Sequence, residues 1–206
     1  MARSTDSQTR EAQVWLKPHQ VDALRSATVE ISPTYLTSRN DALVALLYDT
    51  GLRVGEAVAL DVDDHVHLDE GFIGLPASLQ KDYPNDHSPT YAEISLAEET
   101  TRTLRMYLGN RWKDVDALFP SRQSDRMTTE SVRNVVRRAA LEGEIRPFTV
   151  NGRGEPEEIT PHTLRHSVAY RMLNHEDGNT MYDVRNRLRH ATMQTTEQTY
   201  VHFDRV

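Results

Sequence analysis

Apolar residues recur at helical spacing along most of this chain, and this periodicity constrains its fold more than any other feature of the sequence. The stretch TPHTLRHSVAYRML, which begins at Thr160, shows it clearly, because Leu164, Val168 and Met172 repeat at helical intervals. The threonine and the proline after it suit an N-cap and a first helical position, where the N–H that proline lacks would be unpaired anyway. The pattern predicts a helix that buries one apolar stripe.

The rest of the chain mostly follows the same pattern. NDALVALLYDTG, which ends at Gly51, predicts an apolar helix that the glycine closes, and LRVGEAVAL (52–60) starts another helix immediately. Two predicted strands, 71–78 and 90–96, flank a loop rich in Asp, Asn and Pro. Further helices are predicted at 15–27, 97–112, 128–143, 180–190 and 195–203. We therefore expect an α+β fold, mainly α, with a small antiparallel β-sheet or hairpin, in one domain over 15–206 that follows a flexible polar segment, 1–14.

Composition argues against several classes of protein. With no cysteine in 206 residues, the chain has no disulfide framework and no thiolate metal site. No apolar run approaches the length of a membrane span, and the polar start MARSTDSQTREAQ lacks the apolar centre of a signal peptide. We therefore expect a cytoplasmic protein without a membrane partner.

Charge is distributed unevenly along the chain. The formal net charge is −7, yet residues 121–153 hold seven arginines against four acidic residues. Arg133, Arg137 and Arg138 lie on the polar face of the helix predicted at 128–143. They could be only a solvated face, but a DNA-binding protein needs a basic surface, and this is the best candidate in the sequence. These three arginines are therefore predicted to bind DNA.

Histidine and arginine are concentrated at the start of the helix that follows Thr160. His162 and Arg165 lie one turn apart, at the helix end where free N–H groups and the macrodipole favour an anion. His162 and His166 also have the spacing of a helical metal pair, but no glutamate stands between them and Arg165 would repel a divalent cation. An anion is therefore predicted in preference to a metal. The arginines favour a phosphate, because a guanidinium binds two oxygens at once.

Two other stretches supply partners for such a site. TGLRVGE places Arg53 just after a glycine turn, with Glu56 three residues on and able to orient it. RLRHATMQTTEQTYVHF places His190 ten residues before Tyr200, and the threonine pair 195–196 could cap a short helix that carries the tyrosine.

These motifs, together with HTLRH, resemble the tyrosine recombinase (phage integrase) family in their order and separation. The resemblance covers the catalytic domain from about Trp15 to the C-terminus, and it implies the helical fold of that domain. The loop QKDYPNDHSP resembles the strand-to-strand hairpin of archaeal members, so Lys81 takes the place of the hairpin lysine. The implied function is a site-specific DNA recombinase or integrase of a mobile element, which breaks and rejoins DNA strands without a metal or other cofactor.

The resemblance implies a role for each motif residue. Tyr200 would attack a DNA phosphodiester, form a 3′-phosphotyrosyl link and release a 5′-hydroxyl. Arg53 and Arg165 would hold the non-bridging oxygens, where negative charge builds in the transition state. Taken singly, Arg53 could be no more than an ion-pair partner, and Tyr200 a half-buried packing residue.

The remaining motif residues are assigned to proton transfer and support. His162 would assist proton removal from the tyrosine, His190 would donate to the phosphate, and Lys81 would protonate the leaving 5′-oxygen. A loop lysine is usually just solvated, so Lys81 is the weakest member of this set. His166 is expected to make a structural hydrogen bond, because helical geometry turns it away from the Arg165 side, and Glu56 is expected to support its arginine.

The sequence also departs from the family pattern. The position before the last histidine is usually glycine, and here it is Arg189, which predicts a tighter or more strained turn. Family members normally carry an N-terminal core-binding domain that completes a clamp around DNA, and we expect it to be absent here. The expected partners are double-stranded DNA and, on DNA, further recombinase protomers, with a monomer in isolation. Two rival functions stay open: a catalytically silent DNA-binding relative, and a nicking-closing enzyme of the type IB topoisomerase kind.

Overall fold

The computed structural model describes residues 14–81 and 89–205, and the chain there is mainly helical. The helices are α1 (Pro18–Glu30), α2 (Thr34–Thr50), α3 (Val54–Ala59), α4 (Val62–His65), α5 (Glu98–Gly109), α6 (Thr129–Glu142), α7 (Pro161–Asn174), α8 (Met181–Leu188) and α9 (Met193–Tyr200). Short 3-10 helices span Ala77–Leu79, Pro156–Glu158 and Val201–Arg205. The strands are β1 (Val14–Trp15), β2 (Val66–His67), β3 (Phe72–Leu75), β4 (Ala92–Ser95), β5 (Phe148–Thr149) and β6 (Gly152–Arg153).

The strands form two small antiparallel sheets at different places in the chain. One has the order β2-β3-β4, with Phe72 opposite Ser95 and Leu75 opposite Ala92. The other has the order β1-β5-β6 and pairs Trp15 with Phe148 across 133 positions of sequence. In the first sheet, β3 and β4 form the hairpin whose connecting segment contains Lys81. The second sheet joins the start of the described chain to the segment before α7.

Helix α2 lies at the centre of the fold, where α1, α5 and α7 pack against it. It ends at Gly51, which adopts a left-handed conformation with φ 64°. A Cβ at this position would lie 2.5 Å from Cδ2 of Leu188, so both the backbone angle and the packing require glycine. The turn brings the end of α2 against the end of α8.

Two clusters of buried apolar side chains hold the molecule together. The larger cluster unites α1 to α6 with the first turn of α7 and includes Leu46 and Leu164. The smaller one joins the rest of α7 to α8, α9 and the last 3-10 helix through Val168, Leu188 and Phe203. Helix α7 therefore belongs to both cores, and it also carries His162 and Arg165.

The predicted fold class is confirmed, with corrections at the element boundaries. The helix expected at 15–27 begins only at Pro18, because Trp15 is in β1 and Lys17 takes the extended conformation favoured before a proline. The helix expected at 40–51 begins earlier, at Thr34, and the predicted hairpin strands shorten to β3 and β4. Helix α7 begins at Pro161 as predicted, and the Thr160 hydroxyl accepts a hydrogen bond from the N–H of Thr163.

Two expectations fall partly outside the described residues. The polar N-terminal segment, 1–14, is described only at Val14, which pairs with Thr149 in β1. Most of the loop that resembles the archaeal hairpin, residues 82–88, is likewise outside. Across 14–81 and 89–205, none of the helices is long and apolar enough to cross a membrane.

Candidate active site

Arg165 projects from α7 and binds backbone carbonyls at the ends of two other helices. Its Nη1 donates to the carbonyl of Gly51 and its Nη2 to the carbonyl of Leu188, and the residue is only 2% exposed. Burial, followed by the charge of Arg53, lowers the pKa of Arg165 to about 9, so it still carries its charge at neutral pH. These bonds use two of its five N–H donors and fix the guanidinium between α2, α7 and α8.

Arg53 precedes the first turn of α3 and is oriented by Glu56, as the sequence predicts. Its backbone N–H donates to Oε2 of Glu56 at 2.7 Å, and its Nη1 donates to Oε1 at 2.8 Å. Burial alone would raise the pKa of the Glu56 carboxyl. The charges of Arg189 and Arg53 and the Arg53 N–H outweigh burial and hold that pKa below its ordinary value. Glu56 is therefore an ionised carboxylate in the interior, 2% exposed.

Arg189 follows α8 in a left-handed conformation, with φ 53° and ψ 49°. Its Nη2 donates to Oε2 of Glu56 at 2.7 Å, so the one carboxylate binds two arginines. A non-glycine residue with these angles costs roughly 1–2 kcal/mol. The strained turn predicted at this position is therefore present, and its side chain enters the site.

Three histidines line the same region, with His166 and His190 half-buried and His162 exposed at the rim. The rings of His162 and His166 meet edge to face, with centroids 4.3 Å apart, and Nδ1 of His190 lies 3.0 Å from the hydroxyl of Thr196. Burial is the main cause that lowers the pKa of all three, and the charges of neighbouring arginines and histidines add to it. The pKa of His190 falls to about 3, so its ring is neutral at pH 7.

Tyr200 is the last residue of α9 and lies among these histidines, 1% exposed. Its hydroxyl is 2.9 Å from Nδ1 of His166, and its ring stacks parallel to that of His190 with centroids 5.9 Å apart. Burial raises the pKa of the phenol well above its ordinary value, although Arg165 and Arg53 oppose the effect. The phenol is therefore neutral and hydrogen-bonded, with a neutral histidine as its partner.

The helix that carries Tyr200 is not capped as expected. Its N-cap is Thr192, whose hydroxyl accepts from the N–H of Thr195, so the pair 195–196 lies inside α9. Thr196 instead holds His190 through its hydroxyl. The cap lies earlier because α9 begins at Met193, two residues before the predicted start.

Lys81 lies at the edge of the described hairpin with its side chain exposed. Just before it, the amide of Gln80 donates to the carbonyls of Leu75 and Thr90, at 3.1 and 2.6 Å, and ties the two arms of the hairpin together. In the described part of the chain, no hydrogen bond or ion pair joins Lys81 to the cluster of Arg53, Arg165, His162, His166, His190 and Tyr200.

The arginines of α6 form a different kind of surface. Arg133, Arg137 and Arg138 are all exposed; the first binds Glu130 at 3.4 Å and the last donates to the carbonyl of Ile31. They occupy the polar face that the sequence predicts, opposite buried Val132, and their DNA-binding role stays a prediction.

Sequence reasoning missed three features of this site. It did not find the bond between Arg189 and Glu56, nor the one between His190 and Thr196, and it gave His166 no contact with the tyrosine. The spacing between His166 and Tyr200, 34 positions apart in sequence, holds no signal for such a contact. No group of three or more His, Cys, Asp or Glu side chains that could hold a metal ion occurs in the part of the chain that the structure describes.

Comparison with known proteins gives the family to which this chain belongs. Residues 14–205 match the Phage integrase family. The chain is 35% identical over 172 residues to the tyrosine recombinase XerD of Oceanobacillus iheyensis, covering 82% of this chain and 52% of that protein. It is 32% identical over 194 residues to XerD of Yersinia pestis, covering 91% and 56%. The chain therefore belongs to the phage integrase family, the tyrosine recombinases.

Solved structures agree on the fold. The crystal structure of XerA recombinase superposes with a TM-score of 0.70 and 25% identity, covering 95% of this chain and 61% of that one. The XerH site-specific recombinase bound to its difH substrate gives a TM-score of 0.67 at 20% identity, covering 91% and 50%. The chain thus spans between half and about three fifths of the length of these relatives.

Proposed function

We propose that this chain is the catalytic domain of a site-specific DNA recombinase, over residues 15–206, which breaks and rejoins DNA strands through a 3′-phosphotyrosyl intermediate. The observation that carries the proposal is the position of Tyr200, whose hydroxyl lies 2.9 Å from a ring nitrogen of His166 in a site that also holds Arg53 and Arg165. A neutral phenol next to a neutral imidazole can give up its proton as it attacks, and the arginines supply the charge that a phosphate requires.

The first chemical step moves one proton to a histidine and one from a lysine. The hydroxyl oxygen of Tyr200 bonds to phosphorus as its proton passes to Nδ1 of His166, while His162 packs edge-on against that histidine. The bond between phosphorus and the 5′-oxygen breaks, and its electron pair stays on the 5′-oxygen, which takes a proton from Lys81. Attack by a 5′-hydroxyl of another strand reverses these transfers and releases the tyrosine. The resemblance gives the tyrosine's proton to His162, whereas the hydrogen bond favours His166 as its first acceptor.

Each of the other site residues has a proposed task in this step. Arg53 and Arg165 bind the non-bridging oxygens and stabilise the charge that builds there. His190 donates from its ring to the phosphate, and its bond to Thr196 fixes the ring plane. Since Tyr200 is 1% exposed, DNA binding must also uncover its hydroxyl before attack.

The proposed partners are double-stranded DNA and further protomers of the recombinase. XerH is bound to its DNA substrate in the structure that shares this fold, which supports DNA as the substrate. Strand exchange also requires cleavage of a second strand, and therefore a second active site on the same DNA. The exposed arginines of α6 are proposed to contact phosphates outside the active site. A protein that acts on chromosomal or plasmid DNA works where that DNA is, and we propose the cytoplasm.

Tyr200→Phe tests the assignment with DNA nicked close to the cleavage site, which traps the covalent adduct because the released fragment diffuses away. The wild-type chain should form an adduct that survives denaturing electrophoresis. The variant should bind the same DNA and form none, because only the nucleophilic oxygen is removed. Tyr170→Phe, a buried tyrosine on α7, serves as the matched control and should keep the adduct.

The same substrate separates the rival functions. A wild-type chain that binds DNA without any adduct would indicate a silent relative. Relaxation of supercoiled plasmid without exchange between paired sites would indicate a nicking-closing enzyme. An adduct that persists in Tyr200→Phe would show that another residue is the nucleophile.

A further inference from the structure

Glu56 places a buried negative charge next to Arg53, one of the arginines proposed to bind the phosphate. The carboxylate orients Arg53 through two hydrogen bonds, at 2.7 and 2.8 Å, and it is 2% exposed. A buried negative charge beside Arg53 cancels the positive charge that a phosphate would meet, and it repels the phosphate itself. Glu56 therefore orients Arg53 but also weakens the attraction of Arg53 for a phosphate.

Arg189 binds the same carboxylate, at the oxygen that also accepts from the backbone N–H of Arg53. Its Nη2 donates to Oε2 of Glu56 at 2.7 Å, with 11% of its side chain exposed, so the pair is shielded from solvent. Its backbone is left-handed at φ 53°, where glycine is the unstrained residue. An arginine that is kept at a strained position and buried against a carboxylate indicates a task for its charge.

We propose that Arg189 is a positioning residue that neutralises Glu56, so that Glu56 orients Arg53 without cancelling the charge that Arg53 presents to the phosphate. In the proposed Tyr200 step, negative charge builds on the non-bridging oxygens towards the transition state. Positive charge that Arg53 presents to those oxygens therefore stabilises the transition state more than the ground state. The inference rests on the proposed cleavage activity.

The test compares the cleavage rate of nicked DNA that has an ordinary scissile phosphate with that of DNA carrying a methylphosphonate there, which lacks the negative charge. Arg189→Gly should cleave the ordinary DNA more slowly by about tenfold, less than the hundredfold or more that follows removal of a direct oxyanion donor. Its deficit should largely disappear on the methylphosphonate, because the neutral group needs less positive charge. Arg189→Lys keeps the charge, and its cleavage rate on ordinary DNA should lie between those of the wild type and Arg189→Gly.

Two controls accompany this comparison. Glycine suits φ 53°, so Arg189→Gly should fold, and its thermal unfolding midpoint checks this. Arg105→Ala removes another arginine from an acidic partner, Asp69, at an exposed position on α5 and should cleave both substrates like the wild type.

The outcomes separate this inference from the function on which it rests. A wild-type chain that forms no adduct with ordinary DNA overturns the proposed function and the inference together. If the wild type cleaves and Arg189→Gly equals it, or shows the same deficit on both substrates, the inference alone is overturned. A deficit confined to the charged phosphate supports it.

Discussion

The arginines of the buried site and those of α6 carry the same charge in opposite surroundings. Arg165 is enclosed and donates to two carbonyls, and Arg53 is fixed by a buried carboxylate. Arg133 and Arg137 extend into solvent from α6. Burying a cation costs desolvation free energy, and in this site hydrogen bonds to carbonyls and a carboxylate offset that cost and fix each guanidinium in place. Fixed charges suit a transition state of defined geometry, whereas exposed ones suit a flexible polyanion at variable distance.

The largest effect should follow from changing a buried arginine to the other common cation. Arg165→Lys keeps a positive charge but cannot bind both carbonyls and a phosphate in one plane. Cleavage of nicked DNA should fall by about a hundredfold to a thousandfold. Arg171→Lys, six positions along the same helix and bound to Glu176, is the control and should retain activity. Near-normal cleavage by Arg165→Lys would mean that its position does not matter, and the contrast with α6 would fail.

Lys81 tests whether an exposed cation can also act in the chemistry. The leaving 5′-oxygen needs a proton, and general acids contribute about a hundredfold or more. Lys81→Ala should therefore cleave ordinary DNA about a hundredfold more slowly. It should cleave DNA with a bridging 5′-sulfur almost normally, because a thiolate leaves without protonation. Arg165→Ala should be impaired on both substrates, since its proposed contacts are with oxygens that do not leave. Equal rescue of the two variants, or rescue of neither, would remove Lys81 from the mechanism.

The sequence predicts contacts between residues that are close along the chain, but not contacts between residues that are far apart. The bond between Arg53 and Glu56 was predictable because both lie within one helical turn, and the cap of α7 at Thr160 was predictable for the same reason. The strand at Trp15 was not, because its partner Phe148 is far away in sequence and two-residue strands have no periodicity. Pairings of that kind depend on the packed core.

The site shows the same limit. The sequence marks Arg189 as an unusual residue in a turn, but it cannot show that the side chain reaches Glu56, which is 133 positions away. The sequence predicts that His166 turns away from Arg165, but neighbours on a helix are only about 100° apart, and both side chains lie in the site. What that geometry cannot predict is that α9 brings the hydroxyl of Tyr200 to His166.

A smaller effect is expected on the exposed side of the comparison. The triple variant Arg133→Ala, Arg137→Ala, Arg138→Ala should weaken DNA binding most at low salt. The slope of log affinity against log salt should decrease by about 0.9 for each phosphate that the variant no longer neutralises. Arg102→Ala with Arg105→Ala, on the exposed face of α5, is the control for a general change in charge. An unchanged slope would place the DNA-binding surface elsewhere.

The smallest effect concerns stability against acid. The pKa values of His162, His166 and His190 are lowered in the folded chain, to about 3 for His190, so the unfolded chain binds more protons below pH 6.5. Stability should therefore decrease as the pH falls from 7 to 5, by up to about 1.4 kcal/mol per pH unit for His190. The exposed His162 should contribute less, because solvent screens its charge. His190→Asn should flatten this decrease in urea unfolding, whereas His19→Asn, at an exposed position on α1, should not. Parallel curves for the two variants would contradict the burial argument.

The smaller apolar cluster has a consequence for the proposed DNA cleavage. Tyr200, Leu188 and Phe203 belong to that cluster. Arg53 and Glu56 lie at the start of α3, which packs in the larger cluster. Proteins open in cooperative units before they unfold as a whole, and α8 and α9 pack in the smaller cluster, so we expect them to open as one unit. Opening of this unit would withdraw the proposed nucleophile, His190 and the Leu188 carbonyl that holds Arg165 in a single event. On the proposed mechanism, a chain opened in this way could still bind DNA through the arginines of α6, but it could not cleave it.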